Sequence, residues 1–164
     1  MMAIIKPVTK NRINVLILLI CLLAVLCGAT LAFSQQKQIA TVMALRGHAT
    51  AGFGSGEDRT LEKNSEICVT DLIHTGANAR VQIRFLDQTI VNLGQNASLN
   101  ISQFDWDQKK QKGSLQMDIK ECAFRVFGGL ITKKSPQNFM MNSPVATIGI
   151  RGSSFAGEYT QNHL

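Results

Sequence analysis

The stretch Ala79-Arg80-Val81-Gln82-Ile83-Arg84-Phe85 decides the fold class. Val81, Ile83 and Phe85 alternate with Arg80, Gln82 and Arg84, and a period of two gives an extended chain one dry face and one wet face. Such a segment is a half-buried antiparallel strand. Outward from it the same texture repeats, with short apolar runs separated by Gly, Asn, Asp, Ser or Pro at intervals of about eight to twelve residues. The runs predict strands at Ile39–Arg46, Cys68–His74, Thr89–Leu93, Ala97–Ser102, Ser114–Ile119, Ala123–Phe127, Phe139–Asn142, Ala146–Arg151 and Ser154–Tyr159. No stretch beyond Phe33 repeats at helical spacing for long. The expectation is therefore an all-β single small domain of many short, mostly antiparallel strands. A two-sheet sandwich or roll is the first form, and a β-solenoid-like coil is the alternative.

One N-terminal hydrophobic helix is expected to precede that domain. Lys6, Lys10 and Arg12 stand before an apolar run from Val15 to Phe33, in which only Thr30, Cys21 and Cys27 are polar or thiol-bearing. A basic segment followed by an apolar run is the pattern of an export leader, and Ala32 and Ser34 place small residues for cleavage after Ser34. The run is also just long enough to cross about 30 Å of hydrocarbon, so an uncleaved anchor stays open. Leu26 before Cys27 and Ile20 before Cys21 exclude a lipoprotein. The organisation read from this is a leader or anchor over 1–34, a linker over 35–38, a β domain over 39–160 and a tail over 161–164.

The 164 residues hold 17 Lys and Arg against 11 Asp and Glu, with 45% hydrophobic residues and a mean hydropathy of +0.07. That composition excludes a disordered chain, a disulfide-dense miniprotein and a polytopic membrane protein. Without the leader, 14 basic residues remain against 11 acidic ones, and the basic pI carries little weight for nucleic acid. Lys109, Lys110 and Lys112 are read as a solvated hairpin loop, and Asp105 and Asp107 beside them as polar turns. Gly52, Gly54 and Gly56 form a glycine-rich loop without the Lys-Ser or Lys-Thr pair of a phosphate cradle. His48, His74 and His163 lie far apart, with no metal-ligand spacing. No catalytic constellation, metal or cofactor is expected. Cys68 and Cys122 form a candidate disulfide, with two buried thiols as the alternative.

Three stretches taken together resemble the FecR domain family of bacterial envelope proteins. They are Arg59 to Gly76, holding Asp71, Thr75 and Gly76; Val81 to Leu93, holding Phe85 and Asp87; and Asn142 to Phe155. The last reads Ser143-Pro144-Val145-Ala146-Thr147-Ile148-Gly149-Ile150-Arg151-Gly152 and is the most specific, while Arg125 lies in a fourth similar segment. Where the family usually carries Asp-Gly-Thr this chain has Asp87-Gln88-Thr89, and Gln meets a steric cost at positive φ that Gly does not. Cys122 likewise stands where a glycine is usual. Arg151 is read as pairing with Asp71 or Asp87 to fix strand register, with an acidic partner as the alternative.

The resemblance implies a periplasmic, all-β domain exported by the leader. In the namesakes it relays a signal from an outer-membrane transporter to a cytoplasmic sigma-factor-binding segment, for which the residues before Val15 are too few to fold. The expected role is a non-enzymatic module that binds an envelope protein or cell-wall component. The alternative is a sensor held in the inner membrane by an uncleaved leader. No nucleic-acid partner is expected, and a homo-oligomer through an edge strand is the other association considered.

Overall fold

The computed structural model describes residues 37–52, 58–120, 123–144, 146–148 and 154–158, all within one unit spanning Gln36–Leu164. The leader, the N-terminal helix expected there, and the Gly54–Gly56 part of the glycine loop lie outside the described residues. So do Cys122, Gly149, Arg151, Gly152 and His163. No helix among the described residues is long and apolar enough to cross a membrane.

The strands are β1 (Gln38–Arg46), β2 (Ala49–Gly52), β3 (Arg59–Thr60), β4 (Glu66–Cys68), β5 (Leu72–Thr75), β6 (Arg80–Phe85), β7 (Ile90–Leu93), β8 (Ser98–Asp107), β9 (Lys112–Lys120) and β10 (Ala123–Phe127). After β10 come a short helix α1 (Leu130–Lys134), a 3₁₀ turn (Pro136–Asn138), β11 (Phe139–Ser143), β12 (Ala146–Ile148) and β13 (Ser154–Glu158). They form a six-stranded sheet in the order β13-β10-β7-β6-β1-β4 and a seven-stranded sheet in the order β12-β11-β9-β8-β5-β2-β3.

The all-β expectation holds. The founding segment forms β6 with Val81, Ile83 and Phe85 buried and Arg80 and Arg84 exposed. A single hydrophobic cluster draws on both sheets, with Ile83 and Val91 from the first and Leu99, Leu115 and Met117 from the second. The rings of Phe85 on β6 and Phe104 on β8 meet at 5.6 Å across that layer. Each such buried side chain contributes roughly 1.5–3 kcal/mol relative to exposure. The described strand pairs are antiparallel except β9 with β11. Stacked parallel coils, the solenoid alternative, are thus not what these strands form. A trace of coiling survives in the order, since from β5 onward the chain passes from sheet to sheet while advancing across both away from the β3 and β4 edges.

Several local expectations are corrected. Cys68–His74 is not one strand, because a turn through Val69–Asp71 separates β4 from β5 and carries the Asp71 side chain to a fully buried position. Asp105 and Asp107 lie on β8, which runs on to the hairpin tip because Phe104 and Trp106 pack against the core. Gly113 sits inside β9 opposite Trp106, and the turn comes at 108–111, with Lys109 and Lys110 exposed. The Asp107 carboxyl is held below its ordinary range by the backbone N–H groups of Lys110 and Lys109 that donate to it. Ala49–Gly52 and Arg59–Thr60 are additional short strands.

Candidate functional site

The polar residues of the motif converge on turns, and each turn is hooked from within. Thr75, at the end of β5, donates its hydroxyl to the carbonyl of Gly94 at 2.7 Å and accepts the N–H of Ala97 at 2.7 Å. Gly76 donates its N–H to His48 at 2.9 Å and accepts from Ala79 and Asn96. The Thr75-Gly76 pair thus joins three chain segments at one sheet end.

Asp87 is 0% exposed. One carboxyl oxygen accepts the Thr89 N–H at 3.1 Å, and the other accepts the Thr89 hydroxyl at 2.7 Å and the Ile131 N–H at 3.2 Å. Its backbone carbonyl takes the Leu130 N–H at 2.7 Å. Asp87 therefore satisfies two N–H groups at the start of α1, which Gly129 leaves without a side-chain cap. The Thr89 hydroxyl in turn accepts the Gly129 N–H at 3.1 Å. A Cβ at Gly129 would stand 2.3 Å from both the Asp87 oxygen and the Thr89 nitrogen, so only glycine lets α1 approach this hairpin.

Gln88, where the family has glycine, sits at φ 70° and is exposed. Of the two outcomes the sequence left open, another turn type or a strained one, the turn is the strained one, with Gln88 in the left-handed region. Gln88→Gly removes a cost of about 1–2 kcal/mol and adds unfolded-state entropy of about 0.4–1 kcal/mol. A net gain of about 0.5–1 kcal/mol is expected, read as a higher urea midpoint with an unchanged m value.

Asp71 is 0% exposed and receives a two-pronged guanidinium from Arg59, at 3.1 Å and 2.5 Å, plus the Cys68 N–H at 2.8 Å. The described partner of Asp71 is thus Arg59, which the sequence reading did not select, while Arg151 lies outside the described residues. The hydrogen bonds to Asp71 raise the Arg59 pKa above its ordinary value. Burial, and then the Asp71 charge, push the Cys68 thiol up. Cys122 lies outside the described residues.

The third stretch is a tight hairpin. Ser143 pairs with Ala146 across Pro144, Asn142 with Thr147 and Met141 with Ile148. Pro144 stands in the turn between the two strands. Phe155, on β13, packs its ring against Phe124 of β10 at 5.8 Å. Arg125 is exposed in the middle of β10. His48 and His74 are exposed on different segments, and among the described residues no group of three His, Cys, Asp or Glu could hold a metal.

The placement of these residues agrees with a sequence comparison in which the FecR protein family matches residues 71–164. The chain belongs to the FecR family. No curated protein and no solved structure matches it. In this FecR chain, Asp71, Thr75 and Asp87 are buried and, with the partly buried Gly76 and Phe155, fix turns and sheet packing. No buried side-chain nitrogen or oxygen among the described residues lacks a hydrogen-bond partner. The arrangement can hold loops rigidly; it offers no paired acid and base within it.

Proposed function

We propose that this FecR chain is a non-enzymatic binding module of the bacterial cell envelope, exported into the periplasm and docking an envelope protein or a cell-wall component. The observation that carries the reading is the use of the motif's buried polar groups, since Asp71, Thr75 and Asp87 are each engaged in holding a turn. Chemistry on a substrate needs such groups aimed at an open site. What the scaffold presents instead is surface and edge. β13 pairs with β10 on one side and with no described strand on the other, and this is the edge where the reading puts strand addition by a partner or a second copy.

The test is a photo-crosslinking amino acid at Ser154 of the full chain, produced in a bacterium, followed by fractionation. The expected result is an envelope-fraction adduct of one defined mass. Retention in the cytosol, or an absent adduct from a protein that is monomeric by light scattering, overturns the reading. A second reading, a sensor held in the inner membrane, rests on the length of the apolar run Val15–Phe33. An intact mass beginning at Gln35 excludes it.

A further inference from the structure

The outer face of the six-stranded sheet carries an arginine cluster with no ion pair among the described residues. Arg46 of β1 and Arg80 of β6 are directly opposite one another, and Arg84 and Arg125 are exposed on the same face. Like charges placed directly across an antiparallel pair destabilise it. No described residue forms a salt bridge with any of the four; the described ion pairs are Arg59 with Asp71 and Lys110 with Asp107. Glu66 of β4 is separated from Arg84 by Thr41 of β1, and Glu158 of β13, opposite Ala123, stands one outward row from Arg125.

Arg46 reaches this face because of a bulge. Val42 pairs with the inward Ile83, but Ala44 pairs with the outward Gln82, so one extra residue at Met43 reverses the alternation for the rest of β1. Arg46, Arg80 and Arg125 line an open recess of about 800 Å³ together with Asn92, Gly94 and Ala123. An adjoining recess of about 540 Å³ shares those arginines and reaches Leu45 and Phe127, whose ring is 40% exposed.

We propose that this recess binds an extended acidic segment of a protein partner, carboxylates on the arginines and apolar side chains toward Phe127. The inference rests on the binding-module reading and supplies the chemistry of the partner. Guanidinium groups bind carboxylates through paired N–H donors. Arg80 and Arg125 lie on successive outward rows and two strands apart, about 12 Å between Cα atoms, close to the roughly 13 Å between same-face residues i and i+4 of an extended peptide crossing the strands. A flat bilayer meets protrusions rather than a recess, and a nucleic-acid strand needs a run of stacking rings where this face has Phe127.

The test measures binding of a fluorescent peptide of alternating Glu and Val to the full chain in detergent. Expected is saturable binding that weakens as salt rises and falls about tenfold or more in the Arg46→Gln, Arg80→Gln, Arg125→Gln triple variant. The matched Gln and Val peptide is expected not to bind. The three Arg→Lys replacements, which keep the charge, are expected to lose most of the affinity. No binding, equal binding of the neutral peptide or an unchanged triple variant overturns the proposal. So does tighter binding of polygalacturonate, single-stranded DNA or phosphatidylglycerol vesicles. Arg80→Gln alone is expected to melt at or above the wild-type temperature, and a fall would mark Arg80 as a structural residue and overturn it too. A wild-type chain that forms the Ser154 adduct but does not bind the peptide rejects this proposal and leaves the module reading standing.

Discussion

Asp87→Ala is expected to destabilise the folded domain by about 3–5 kcal/mol, because each buried donor stripped of its acceptor costs about 1–3 kcal/mol. The substitution leaves the N–H groups of Thr89 and Ile131 facing a methyl group in a site where Asp87 and Thr89 are both 0% exposed. It also frees the Thr89 hydroxyl, which positions the Gly129 N–H. The start of α1 and the β6–β7 hairpin then lose their shared anchor. Against typical domain stabilities of about 5–15 kcal/mol this is a large fraction. Asp87→Asn is expected to cost less, since its oxygen keeps one set of bonds while its amide meets a donor. Urea unfolding reads both, as a lowered midpoint with an unchanged slope. A loss under about 1 kcal/mol for Asp87→Ala would show that Asp87 does not anchor the helix.

Strands with large alternating residues were readable because their side chains state the period. Val81, Ile83 and Phe85 leave no second interpretation, and β10 begins and ends where its alternation of Phe124 and Val126 with Ala123, Arg125 and Phe127 places it. Ala49–Gly52 contains only small residues and Arg59–Thr60 only two, so neither carries a period, and their pairing is set by the neighbours they add to. The break between β4 and β5 is hidden because Val69 continues the apolar run. What ends the strand is the need to bury Asp71, a tertiary requirement.

The candidate residues divide on the same ground. That Asp87, Thr75 and Gly76 matter was legible from the motif; that they act as hooks required seeing Gly94, Ala97 and α1 brought beside them. Arg59 sits twelve residues from Asp71, a separation with no periodic signature. The arginine face was illegible for a sharper reason. Continued alternation from Val42 would turn Arg46 inward, and only the bulge at Met43 turns it out beside Arg80.

Arg59→Ala is expected to cost about 2–3 kcal/mol, below the usual 3–5 kcal/mol for breaking a buried pair, because Arg59 is 42% exposed and water screens its side of the bond. Asp71 is 0% exposed and would keep only the Cys68 N–H among its described partners. The turn it holds includes Thr70 at φ 69°, a β-branched residue in a conformation such residues avoid. Releasing Asp71 therefore also removes the constraint that keeps Thr70 there. Arg59 does further work, since its guanidinium donates to the Glu66 carbonyl at 2.9 Å and so ties β3 to β4 across the two sheets. The pair can be isolated by a double-mutant cycle with Asp71→Ala. If the buried carboxyl left behind is the main cost, the double variant is expected to be more stable than the two single losses summed predict, with a coupling of about 1–3 kcal/mol. Additive losses would mean that Arg59 acts through Glu66 alone, and that the Asp71 turn is held by its backbone bonds.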